Sequence, residues 1–97
     1  LIEKTSADLN NFRQRMDKID DEIVRLFEQR MDVSGEIAQF KRINNLPVHN
    51  PEREQQKIQE LSGNVKKGRE ADISALYTLL FKLSRAEQER IIKEEQD

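Results

Sequence analysis

The stretch LNNFRQRMDKIDDEIVRLFEQRMDVSGEIAQFKRI, residues 9–43, decides the fold. Its apolar residues stand at Leu9, Phe12, Met16, Ile19, Ile23, Leu26, Val33, Ile37 and Phe40, in steps of three and four broken only where one step lands on Arg30. That is the period of an amphipathic α-helix. Ser6 or Asp8 offers a capping oxygen at its start, and no proline intervenes before Pro47, so the spacing predicts one helix over roughly 7–43. At about 1.5 Å per residue it runs roughly 55 Å, whereas a compact globule of this chain length is only about 32 Å across. A single chain cannot cover such a seam, which predicts self-association, most simply a symmetric homodimer with the long helices packed on each other.

Outward from that helix, Asn44 to His49 form a connection, because Asn44 and Asn45 tolerate turn conformations and Pro47 disfavours helix in the residue before it. Asn50 is a good N-cap, Pro51 suits the first helical position, and Glu52 and Glu54 complement the positive end of a helix dipole. A second helix is expected over 51–66, with Ile58, Leu61 and Val65 on its buried side and Gly63 or Gly68 at its end. Asp72 is positioned to cap a third, over 72–93, carrying Ile73, Leu76, Tyr77, Leu80, Leu83 and Ile91, with Lys93 to Asp97 as a frayed, charged tail. No segment alternates like a strand. The expected fold is all-α, a three-helix chain forming one domain over 1–97.

Composition narrows the function. Leu, Ile, Val and Phe make 26 of the 97 residues, above the roughly one-fifth level at which disorder becomes the default. Seventeen Lys and Arg against nineteen Asp and Glu leave a net charge of −2, so no global field holds the chain on nucleic acid or an anionic membrane. Zero cysteines and one histidine exclude disulfides, thiolate metal sites and a Cys nucleophile. No apolar run approaches the length of a signal peptide core or a membrane span, and a cytoplasmic protein is expected.

Polar residues that interrupt their own helix's pattern are the candidates for chemistry. Arg30 sits where the first seam calls for an apolar side chain, so partial burial is expected, paired either with a carboxylate or with an anionic ligand. A register-setting polar residue in a coiled coil explains it equally. On the third helix, steps of four from Leu80 give Ser84 and Gln88, both facing inward. Ser84 alone reads as a hydroxyl bonded to its own i−4 carbonyl, whereas a buried Gln88 amide needs several partners. Lys41 reads as a dipole complement, Asn50 as a cap, Arg53 with Glu54 as a solvated face, and Arg13 as a surface charge. Eleven residues along one helix, about 16 Å, separate Arg30 from Lys41, close enough for their long side chains to grip one small dianion. Arg13, about 25 Å before Arg30, approaches such a site only from a partner chain. Gly35 costs about 1 kcal/mol relative to Ala inside a helix and either permits close helix approach or is simply tolerated.

Taken together, Arg13, Ile19-Asp20, Arg30, Lys41, Pro47-Val48, Asn50-x-x-Arg53-Glu54, and Tyr77 followed by Ser84 and Gln88 resemble the all-helical class of chorismate mutase, over residues 8 to 92. The resemblance implies a dimer of three-helix chains with two equivalent sites that convert chorismate to prephenate, a branch step of aromatic amino acid biosynthesis, with no cofactor and no metal. It implies that Arg30 binds one substrate carboxylate and Arg13 of the other subunit the second. Lys41 and Gln88 then hydrogen-bond the ether oxygen, Glu54 accepts from the substrate hydroxyl, a backbone contact lies near Asn50, and Arg53 and Ser84 complete the carboxylate pocket. Family members often carry Asp where this chain has Asn50. The rival reading from another class is a non-catalytic helical dimerisation module, and a nucleic-acid binder is disfavoured because the basic residues do not cluster on one face.

Overall fold

A computed structural model describes residues 2–96, with side chains from Ser6 to Glu95. Three helices follow one another, α1 (Ile2–Ile43), α2 (Pro51–Ser62) and α3 (Glu70–Gln96), with no strand among the described residues. The all-α, three-helix expectation holds. The chain divides between Asp32 and Val33 into two compact units.

The N-terminal unit is helical from Ile2 onward, so neither Ser6 nor Asp8 is its cap. Residues 3–8 contain no Gly or Pro, and a helix once nucleated extends through such residues at little cost. Its apolar side chains are exposed at every seam position from Leu9 to Leu26, with Phe12 at 57% and Ile23 at 58%. Local pairs decorate it: Arg25 grips Glu22 one turn earlier at 2.7 Å, and the Arg15 guanidinium lies 5.9 Å from the Phe12 ring centre. Surface pairs of this kind are worth little, and the uncovered seam is the larger energetic fact.

In the C-terminal unit the last turns of α1 turn an unexpected face inward. Ser34 and Ala38 are buried and Lys41 is half-buried, while Val33, Ile37 and Phe40, which continue the apolar seam, stay exposed. Steps of four from Arg30 give Ser34 and Ala38, so a row of small residues, rather than the apolar stripe, meets the rest of this unit. A Cβ on Gly35 would lie 3.2 Å from Ile91 Cδ1, so the glycine does permit close approach of α1 and α3. Arg42 and Glu95 form an ion pair beside it.

The second helix stops at Ser62 rather than near 66, because Gly63 closes it, donating its N–H to Gln59 O at 3.1 Å. Gly68, at φ 95°, then turns the chain where an L side chain would be strained. The third helix begins at Glu70, two residues before the expected start, with Ile73 N–H bonded to Arg69 O at 3.1 Å. Asp72 therefore lies in the first turn, where the dipole favours it, and not at the cap. Glu70, the first helical residue, braces the turn before the helix, its carboxylate accepting from Gly68 N–H at 2.9 Å. At its far end α3 runs on to Gln96 instead of fraying from Lys93, and Asp97 lies outside the described residues. Among the described residues no helix is long and apolar enough to cross a membrane.

Candidate active site

The C-terminal unit gathers Lys41, Asn50, Arg53, Glu54, Ser84 and Gln88. Asn50 caps α2 as its sequence predicts: its side-chain oxygen accepts from Arg53 N–H at 3.2 Å, with Pro51 beginning the helix behind it. That cap sets the rotation of the first turn. Glu54 falls on the covered side, and Arg53, one residue earlier, points to solvent.

Lys41, in the last turn of α1, is half-buried and donates from Nζ to Val48 O at 2.8 Å. It thereby pins the loop that leads to the Asn50 cap, assisted by the Leu46 N–H bond to Lys41 O at 2.8 Å. An ammonium has three N–H donors, so one committed to Val48 leaves the others able to reach a ligand.

The Glu54 carboxylate is held from α3. Arg85 Nη1 lies 2.5 Å from one of its oxygens and 2.6 Å from the other, and both side chains are largely covered. His49 approaches the same carboxylate, Nε2 to Oε1 at 3.8 Å, an ion pair only when the imidazole is protonated, and is itself half-exposed. Ser84 and Gln88 are buried on α3, as their spacing predicts. Ser84 Oγ and Ser34 Oγ lie 2.5 Å apart, and Gln88 Nε2 donates to Ser84 Oγ at 3.3 Å. Gln88 Oε1 is buried without a hydrogen-bond partner. The partners of the Ser84 hydroxyl are thus side chains, whereas Thr78 on the same helix bonds its own i−4 carbonyl, Ser74 O, at 2.7 Å.

Arg13 and Arg30 belong to the N-terminal unit, Arg13 exposed and Arg30 half-buried, although the seam residues on either side of it, Leu26 and Val33, are exposed. Two residues of the C-terminal unit, Ser34 and Arg85, join these groups without standing among the residues that the sequence singles out. Ser34 had a signal, the four-residue step from Arg30. Arg85 has none in the spacing of α3, and the solvated-face reading of Arg53 with Glu54 does not hold for Glu54, which is covered.

Chemically, the unit offers an ammonium, a buried carboxamide with unused capacity and an oriented carboxylate acceptor. Such groups bind and orient a polar anion and donate to an oxygen that gains charge.

Comparison with known proteins agrees. A 54-residue stretch is 37% identical to a bifunctional chorismate mutase/prephenate dehydratase of Aquifex aeolicus (strain VF5), covering 56% of this chain. The chain spans only about 15% of the length of that curated relative. No solved structure matches it significantly. Residues 12–89 match the chorismate mutase type II family, and with the helices and buried polar groups described above, the chain belongs to that family.

Proposed function

We propose that this chain is a chorismate mutase, one domain over 1–97, converting chorismate to prephenate as a homodimer whose sites draw on both chains. The observation that carries the reading is Gln88, a buried carboxamide with an unpartnered oxygen beside Ser84, in a chain of the mutase family. Turned over, the same carboxamide would accept from the Ser84 hydroxyl and present its N–H₂ group to a ligand, and the two ends of an amide are interchangeable in this way.

The rearrangement breaks the ether C–O bond to the ring as a C–C bond forms between the enolpyruvyl methylene and the ring. Product is an isomer of substrate, so no group is gained or lost. The protein must hold the compact conformer and stabilise negative charge on the ether oxygen. Lys41 and Gln88 donate to that oxygen, and Glu54 accepts from the substrate hydroxyl. Arg30 with Arg13 of the other chain holds the carboxylates, Arg53 and Ser84 completing the pocket and Asn50 positioning its backbone. A rate gain of about 10⁶ needs roughly 8 kcal/mol, and one or two donors worth about 3 kcal/mol each, added to orientation, supply it.

The dimer is supported by the exposed seam from Leu9 to Leu26 and on through Val33, Ile37 and Phe40. A helix that buries none of its apolar face is marginal in water. Sedimentation equilibrium should give a dimer at micromolar concentration, and a folded monomer would remove this part. Mixing the protein with chorismate and following loss of its absorbance and appearance of prephenate tests the activity. A stable dimer without turnover would favour the dimerisation module instead.

A further inference from the structure

We propose that Arg85 is a positioning residue for this reaction, holding the Glu54 carboxylate in place and cancelling its charge while leaving it free to accept from substrate; the inference rests on the mutase reading above. Glu54 and Arg85 come from different helices, thirty-one residues apart, and the contact is made by one guanidinium nitrogen, Nη1, to both oxygens at 2.5 and 2.6 Å. An ionised carboxylate offers about four lone-pair sites, and this single-nitrogen grip occupies two. The remaining pair stays available to a substrate hydroxyl.

Charge gives the second reason. Chorismate is a dianion, and a covered carboxylate without a counter-cation would repel it. Arg85 supplies that cation from within the fold. His49, the other basic group facing Glu54, is half-exposed and 3.8 Å away, a poor substitute. Placement gives the third: Arg85 directly follows Ser84 and stands three residues before Gln88. One stretch of α3 thus carries the buried amide and the group that orients the acceptor on α2, so donor and acceptor are held in register.

The test is a cycle of Arg85→Met, Glu54→Gln and the double variant, with kcat and KM for chorismate measured and circular dichroism confirming the fold. Arg85→Met should raise KM about tenfold with a smaller change in kcat, the pattern of lost ground-state binding. Arg85→Lys should keep KM within about threefold, since one nitrogen makes both contacts. In the Glu54→Gln background Arg85→Met should change KM by less than about twofold. A KM unmoved by Arg85→Met, or moved equally in both backgrounds, overturns the inference, because Arg85 would then not act through Glu54. Should Arg85→Met not fold, Arg85→Gln, a neutral donor, takes its place in the same cycle with the same outcomes. A wild-type chain that leaves chorismate untouched overturns the functional reading and this inference together; an active wild type with an insensitive Arg85 overturns this inference alone.

Discussion

Ser34 of α1 and Ser84 of α3 share a buried hydroxyl–hydroxyl hydrogen bond of 2.5 Å, and Ser84 accepts a further bond from the Gln88 amide at 3.3 Å. Removing Ser84 therefore takes a partner from two buried groups. Ser84→Ala should destabilise the protein by about 2–3 kcal/mol. Urea midpoints at one fixed protein concentration measure it, and a loss under about 1 kcal/mol would contradict the role given to Gln88.

The Gln88 carboxamide donates a hydrogen bond at every ordinary pH, whereas a carboxylic acid donates only while protonated. Wild-type activity should be nearly flat from mildly acidic to neutral pH. Gln88→Glu should lose activity as pH rises through the pKa of the new carboxyl, because the ionised group repels the charge growing on the ether oxygen. The pH profiles of kcat/KM decide it: parallel profiles would mean that Gln88 does not face that oxygen.

Gly35 meets Ile91 Cδ1, 3.2 Å from where its Cβ would stand. Gly35→Ala gains about 1 kcal/mol of helix propensity and loses part of it to that contact. Ile91→Val removes Cδ1, so Gly35→Ala should stabilise the Ile91→Val protein by about 0.5–1 kcal/mol and the wild type by less. Chemical denaturation of the four proteins gives the comparison.

If each site takes Arg13 from one chain and Arg30 from the other, Arg13→Ala and Arg30→Ala should each be inactive alone. Mixed dimers should regain one intact site, the other carrying both defects. With statistical exchange about half the chains sit in mixed dimers, so the mixture should reach roughly a quarter of wild-type activity per site. An inactive mixture in which labelled subunits demonstrably exchange would refute the shared site.

Hydrogen bonds from Arg90 hold the Glu87 carboxyl below its ordinary value of 4.5. A depressed folded-state pKa stabilises above the unfolded value and the benefit disappears as pH falls through the folded one. Glu87→Gln should therefore melt lower than wild type at pH 7 and equally at pH 2. Arg90 is half-exposed and solvent screens the pair, so the gap should stay within about 3 °C. It should shrink further in high salt, which thermal melts at two ionic strengths would show.

Local chemistry made much of this protein legible in its residues. Asn50-Pro51 and Gly63 mark helix ends because capping and glycine geometry act within a turn. The steps to Arg30, Ser84 and Gln88 showed which polar residues would be covered, because a helix repeats its faces every three or four residues. α1 and α3 begin earlier than the sequence predicts because Ser6 and Asp8 are accommodated inside the helix and Asp72 in the first turn, and propagation through their neighbours is nearly free.

Three helices, with no strand among the described residues, the inward turn of Ser84 and Gln88 and the family were thus determined by the sequence alone. Only the tertiary structure decided that Ser34 and Ala38, and not Val33, Ile37 and Phe40, meet the rest of the C-terminal unit, that Lys41 ties down Val48, and that Arg85 holds Glu54. The reason is physical. Periodicity reports which residues share a face of one helix, but the rotation of that helix against its neighbours is set by how closely backbones can approach and by which charges find partners across the gap. Those partners lie far apart along the chain, as Ser34 and Ser84 or Arg42 and Glu95 do.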